Sequence, residues 1–204
     1  ENGTQAKYLT ADEYLSGNVR EKLAVARRLA ESEPVFAANV TALEEVQPTD
    51  LTASEISVRL GATWLPEDVV QEFMYQLLDT PYYAQWKVKV HYSRYTGGWN
   101  VEGKSYDRSN INAISTYGTD RVNAYKIIED TLNLRDVRVF DYVEDENGKR
   151  VPILNKKETA IAQGKQELIK QAFQDWIWKD QPRRERLCKL YNEQFNALRP
   201  REYD

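Results

Sequence analysis

The sequence predicts an α+β fold: a helical cluster over residues 1–80, then, over residues 81–204, a small antiparallel sheet of two hairpins packed by helices. Three observations predict it. Apolar residues recur at helical spacing through the first third, and the repeat shortens to two residues near Pro81. Beyond that point two strand pairs with glycine-containing turns alternate with helical stretches. A chain of 204 residues buries a sizeable core, and 41% hydrophobic with 29% charged residues is an ordinary composition for a globular protein.

The first helix follows the start signal Ser16-Gly17-Asn18, with Val19, Leu23, Ala26 and Ala30 on one face. Phe36, Val40 and Leu43 repeat likewise after Pro34. Thr52-Ala53-Ser54-Glu55 has capping-box form and predicts a short helix through Ile56 and Leu60, ended by Gly61. Pro66 fits a first helical position before the stripe Val69, Val70, Phe73, Met74 and Leu77. Trp86, Val88, Val90 and Tyr92 then alternate with Lys87, Lys89, His91 and Ser93, a strand with one buried face; Gly97-Gly98 turns it into Trp99-Asn100-Val101. Val122, Tyr125, Ile128 and Leu132 define a helix. The strands 137–142 and 150–154 flank Asn147-Gly148, whose positive backbone angles suit a tight turn, and Pro152 marks an edge strand. Helices over 157–178 and 182–198 close the chain, the first with Ile161, Leu168, Ala172, Phe173, Trp176 and Ile177 as its apolar face and the second with Leu187, Leu190, Tyr191, Phe195 and Leu198. Trp64, Trp86, Trp176 and Trp178 are expected in the core.

Most catalytic chemistry is not expected here. No glycine-rich phosphate loop of the Walker form occurs, and one Cys188 and one His91 cannot assemble a zinc site. The acidic run Asp141, Glu144, Asp145, Glu146 fails as a calcium loop, because placing Gly148 at the sixth position puts Val143 where a carboxylate is required. Asp79-Thr80-Pro81-Tyr82 resembles an amino-methyltransferase tetrapeptide but follows a helical stripe, and reads as a helix stop. No apolar run approaches the roughly 20 residues of a membrane span. No secretory signal is visible, and the lone cysteine fits a reducing compartment, so a cytoplasmic location is expected.

Charge is uneven. Residues 1–80 carry 6 Lys and Arg against 14 Asp and Glu, whereas residues 81–204 carry 22 against 18, so phosphate contact is expected only from the later part. Two surfaces are candidates for nucleic acid. In the first hairpin, Lys87, Lys89 and Arg94 share a neighbourhood with Tyr95 and Trp99, a mixture that tracks phosphates and stacks bases. Around the start of the last helix, Lys179, Arg183, Arg184, Arg186 and Lys189 form a basic cluster, with Arg183, Arg186 and Lys189 recurring every three residues. The competing reading of the hairpin is a lysine-rich strand face that discourages edge pairing, with Trp99 in the core, and that of the last helix is a solvated face opposite Leu187, Leu190 and Tyr191.

The stretch from Tyr14 to Leu23, Tyr-Leu-Ser-Gly-Asn-Val-Arg-Glu-Lys-Leu, resembles a phrase in large bacterial mobile-element polypeptides that join an adenine-specific DNA methyltransferase to a Swi/Snf-like helicase. The run from Phe195 to Asp204 is similar to the segment that leads into the helicase core of that family. The resemblance implies an accessory region between the two engines, not itself an enzyme, with S-adenosylmethionine and ATP with magnesium used elsewhere in the parent polypeptide. DNA and the flanking methyltransferase and helicase domains are the implied partners. A docking or spacer module is the alternative, and it predicts an exposed contiguous apolar patch.

Overall fold

The computed structural model describes residues 9–201. The last three residues of the closing run, Glu202, Tyr203 and Asp204, lie outside them. In chain order the first elements are α1 (Ala11–Tyr14), β1 (Gly17–Asn18), α2 (Val19–Ser32), a 3-10 turn (Pro34–Phe36), α3 (Ala37–Glu45), α4 (Glu67–Leu78) and α5 (Tyr82–Gln85). There follow β2 (Lys89–Ser93), β3 (Gly98–Glu102), a π-helical turn (Asn112–Thr116), α6 (Ala124–Leu132), β4 (Phe140–Glu144), β5 (Arg150–Leu154), α7 (Lys156–Ile177), α8 (Gln181–Phe195) and β6 (Leu198–Arg199). The fold is α+β, as expected. The two hairpins do not merge into one sheet: the strands form three separate antiparallel pairs, β1–β6, β2–β3 and β4–β5. No helix among the described residues is long and apolar enough to cross a membrane.

The chain forms two compact units, one of residues 1–56 with 185–204 and one of residues 57–184. The change of period near Pro81 therefore does not mark their boundary; the α4 stripe and the first hairpin belong to the same unit. In the first unit Asn18 ends β1 and caps α2, its Oδ1 accepting the Glu21 N–H at 3.1 Å while its amide donates to the Glu21 carboxylate. Val19, Leu23 and Ala26 of α2 meet Leu43 of α3 in the core. The β1–β6 ladder pairs Gly17 with Arg199 and Asn18 with Leu198, so the two stretches that carry the family resemblance are hydrogen-bonded neighbours. Asn192 of α8 clamps both the N–H and the C=O of Leu51. The capping-box residues Thr52 and Glu55 do meet, with the Thr52 N–H donating to Glu55 Oε2 at 2.8 Å, yet no helix follows. Ile56, Val58 and Leu60 are buried and Ser57 and Arg59 exposed, a two-residue alternation of partly β-branched residues that holds this segment extended.

In the second unit Val69, Val70, Phe73, Met74 and Leu78 of α4, Tyr125, Ile127, Ile128 and Leu132 of α6, and Ile169, Phe173 and Ile177 of α7 are buried. Phe73 meets Phe173 edge to face at 5.1 Å. Helix side chains close the free edges of the first hairpin. On the β2 side, Glu67 and Gln71, one helical turn apart on α4, accept from the Tyr92 and Val90 N–H groups. On the β3 side, Glu129 and Asn133 of α6 accept from Val101 and Trp99 at 2.8 and 2.9 Å.

The second hairpin starts later than its apolar run suggests. Val137 and Val139 are buried, but their N–H groups bond the Gln166 and Thr159 side chains of α7 instead of a strand. This explains why the buried face of α7 is Thr159, Ala162, Gln166, Ile169, Phe173 and Ile177, while Ile161 and Leu168, expected inside, are exposed. The hairpin turn is also longer than the two-residue form Asn147-Gly148 suggests. Asp145 and Lys149 bond across a three-residue loop in which Gly148 takes φ 75°. In α8 Leu187 is buried but Phe195 is exposed, as is Leu198 beyond the helix, and Cys188 is half-buried.

Candidate nucleic-acid interface

Trp86, expected in the core as part of a strand, is 61% exposed. Its segment is helical because Pro81, fixed near φ −61°, starts the one-turn α5, and β2 begins only at Lys89. Within that turn Tyr82 and Trp86 stand four residues apart and Tyr83 and Trp86 three, spacings that bring side chains to one face. Tyr82 is 90% exposed, and Tyr83 is exposed as well. Lys87 lies with its ammonium 4.3 Å from the Trp86 ring centre. The loop after β3 adds Tyr106, whose ring meets Trp86 at 6.2 Å, edge to face. Gly103 makes that approach feasible: it takes φ 66°, and a Cβ there would stand 2.5 Å from the Lys87 carbonyl oxygen.

Both segments of this surface are anchored below by one buried network. Thr80, just before α5, shares a hydrogen bond of 2.8 Å with the Tyr125 hydroxyl, which donates to Asp107 Oδ2 at 2.8 Å. Asp107 directly follows Tyr106, and Asn110 donates to both Asp107 Oδ2 and the Leu78 carbonyl. Burial pushes the Tyr125 hydroxyl above its ordinary range, opposed by its bond to Thr80 and reinforced by the Asp107 carboxylate. The network also fixes the fate of Asp79-Thr80-Pro81-Tyr82: Asp79 ends α4 in the left-handed region (φ 48°), and Thr80 is a buried anchor.

Of the hairpin residues singled out from sequence, Lys87 and Arg94 are exposed, Lys89 is half-buried, and Tyr95 stands fully exposed at the turn. Trp99 does not belong to the surface; it is 5% exposed, and its ring lies 4.8 Å from that of Tyr92. His91 sits on the outer face between Glu67 and Glu102, at 4.0 and 3.7 Å.

The basic cluster around α8 divides. Arg183 is 8% exposed: its guanidinium lies 3.5 Å over the Trp176 ring, donates to the Ile177 and Trp176 carbonyls, and faces Glu72 at 3.5 Å. It caps the C-terminal end of α7 and is not available to phosphate. Arg184 donates to the Trp178 carbonyl at 2.9 Å and is half-buried. Lys179, Arg186 and Lys189 remain exposed. A stripe of period three thus loses its first member to helix termination.

The exposed aromatic residues of α5 were missed because Trp86 fits the alternation of β2 by residue type. The available signal was Pro81, which favours a helical start over continuation of a strand. Among the described residues no group of three or more His, Cys, Asp or Glu side chains is arranged to hold a metal ion.

Comparison with curated proteins finds no match, and neither does comparison with solved structures. A family model matches residues 59–197, which include α5, both hairpins and the whole of α8. Since that match spans well over half of the sequence, the chain belongs to the family described as Domain of unknown function (DUF8437).

Proposed function

We propose that this chain is a noncatalytic accessory region of a cytoplasmic methyltransferase-helicase polypeptide, and that it holds DNA for the neighbouring motor through the α5 surface. The observation that carries the DNA contact is the exposed Trp86 ring, with a lysine ammonium against it, the Tyr106 ring meeting it and Tyr82 and Tyr83 exposed on the preceding helical turn. Exposed rings stack on unpaired bases irrespective of sequence, and adjacent cations follow the phosphates. Arg94 and Tyr95 at the hairpin turn extend the same chemistry. The context, with S-adenosylmethionine and ATP with magnesium used by flanking domains, rests on the resemblance of the segments around Gly17 and Arg199.

Fluorescence anisotropy with labelled single-stranded and duplex DNA at low and moderate salt tests the reading. Binding should favour the single strand and weaken as salt rises. Trp86→Ala should weaken it by about 1–3 kcal/mol, roughly 5- to 150-fold. Charge reversal at Arg186 and Lys189 serves as the control surface and should have the smaller effect. No binding at low salt, or binding indifferent to Trp86, would sink the proposal.

A second reading, a docking or spacer module, is favoured by the β4–β5 hairpin. Phe140, Tyr142, Val143, Ile153 and Leu154 are all exposed on it, with Phe140 directly opposite Leu154. A two-stranded hairpin with so much uncovered apolar surface is a natural contact for a flanking domain. Under this reading, amides of residues 140–154 exchange more slowly when the flanking domains are attached, whereas under the first they do not change.

A further inference from the structure

A cavity of about 320 Å3 in the second unit is lined by Arg59, Arg135 and Lys170 around an apolar floor of Leu60 and Leu134. We propose that it is a binding site for a phosphate-bearing ligand. This site is separate from the α5 surface, and the inference does not depend on the DNA reading.

The cations are placed by the fold. The alternation through Val58 and Leu60, both buried, turns Arg59 outward. Gly61, with φ 99°, then brings this segment so close to the end of α6 that a Cβ would stand 2.4 Å from the Leu132 carbonyl oxygen. At that helix end the Leu134 N–H bonds Thr131 O and the Arg135 N–H bonds Asp130 O, a Schellman closure that aims Arg135 at the cavity. The buried Gln166 amide locks the wall by donating to Thr131 Oγ1 and the Arg135 carbonyl while accepting from the Val137 N–H. Arg135 and Lys170 have carboxylate neighbours at the rim, Asp130 at 3.4 Å and Glu167 at 2.7 Å, and Asp136 also lines the cavity. No ion pair engages Arg59 among the described residues.

The second observation is backbone strain at the same place. The left-handed position of a Schellman closure is ordinarily glycine, yet here it is Leu134, at φ 58° and 59% exposed. A leucine held in that conformation with its side chain uncovered has no packing reason to be there, and strain of this kind gathers at ligand sites. Its position on the cavity wall gives it one: an apolar contact beside a site rich in cations, for a ligand with a compact anion and a nonpolar body such as a nucleobase or sugar ring. Two guanidinium forks and an ammonium match phosphate oxygens, and the volume lies at the lower end of the range for small-molecule sites.

Isothermal titration calorimetry of the full chain with sodium pyrophosphate, AMP and a 5′-phosphorylated single-stranded oligonucleotide tests this. Wild type should bind at least one probe at 1:1, and the double variant R59Q/K170Q should lose roughly tenfold or more in affinity with its far-UV spectrum and melting curve unchanged. Leu134→Gly should weaken AMP more than pyrophosphate, which lacks the nonpolar body, without lowering the melting temperature, since glycine relieves the left-handed strain. AMP binding that depends on Arg59 and Lys170 identifies a free nucleotide as the source of the phosphate. The same dependence for the oligonucleotide alone identifies a nucleic-acid end. Trp86→Ala should leave AMP and pyrophosphate binding untouched, which separates this site from the α5 surface. Binding equal in R59Q/K170Q and wild type, or no binding of any probe at millimolar concentration, would overturn the inference.

Discussion

The Tyr125 hydroxyl is the single atom through which Thr80 and Asp107 are joined. Tyr125→Phe keeps the ring and its packing but leaves a buried hydroxyl and a buried carboxylate oxygen short of a partner, so it should cost about 1–3 kcal/mol in urea unfolding. If the network positions Trp86 and Tyr106, the same variant should also weaken single-stranded DNA more than its stability loss accounts for. Glu129 sets a pH dependence. Burial raises its carboxyl, but the Lys104 hydrogen bond, the Val101 N–H and the charges of Lys104 and Lys126 outweigh it, and the net shift is downward. A carboxyl depressed in the folded state contributes stability above its unfolded value, about 4.3, and loses it as pH falls through the folded value. Acid titration of the melting temperature should therefore show a decline below about pH 4.3 that Glu129→Gln flattens. Gly61 is constrained twice, by φ 99° and by the Leu132 carbonyl, so Gly61→Ala should destabilise by about 2–4 kcal/mol.

At the scale of elements, a recurring device is a polar helix residue that bonds the backbone of a neighbouring extended segment. Glu67 and Gln71 serve β2, Glu129 and Asn133 serve β3, and Thr159 and Gln166 serve the approach to β4. Asn133 both accepts from and donates to Trp99. Asn133→Leu should thus leave two buried backbone groups unpaired, costing about 1–3 kcal/mol and speeding exchange of the Trp99 amide. This device also explains what sequence reading could and could not reach. Most helix and hairpin positions were legible because caps, apolar periods and Gly turns are local, although the Thr52–Glu55 capping box opens no helix and the start of the first strand is the helical turn α5. The buried face of α7 was not, because Thr159 and Gln166 are polar by type and buried by partnership, and the partner lies some 20 to 29 residues away in sequence. For the same reason Arg183 read as a surface cation: its role follows from the carbonyls at the end of the preceding helix, and charge patterning carries no trace of them. Lys87 was recognisable as a candidate, whereas its ring partner changed from Trp99 to Trp86 once Pro81 had turned the chain.

For the whole molecule, the two compact units differ in how the chain builds them. Residues 57–184 are continuous, and they contain the buried networks of Tyr125, Glu129 and Gln166 together with both proposed sites. The first unit is assembled from both ends of the sequence: β6 pairs with β1, Arg20 bonds the Asn196 carbonyl at 2.8 Å, and Asn192 clamps Leu51. Removing residues 185–204 therefore deletes every one of these contacts from the first unit, while the second loses no member of its core. In a chain shortened to residue 184, hydrogen exchange should show protection collapsing at Val19, Leu23 and Leu43 but persisting at Tyr125, Ile128 and Phe173. Concerted loss of protection in all six would mean that the second unit does not fold independently. With the expected outcome, residues 57–184 become a fragment in which DNA binding at Trp86 and phosphate binding at Arg59 are measurable without the first unit, and retention of both would place the two activities in that continuous stretch.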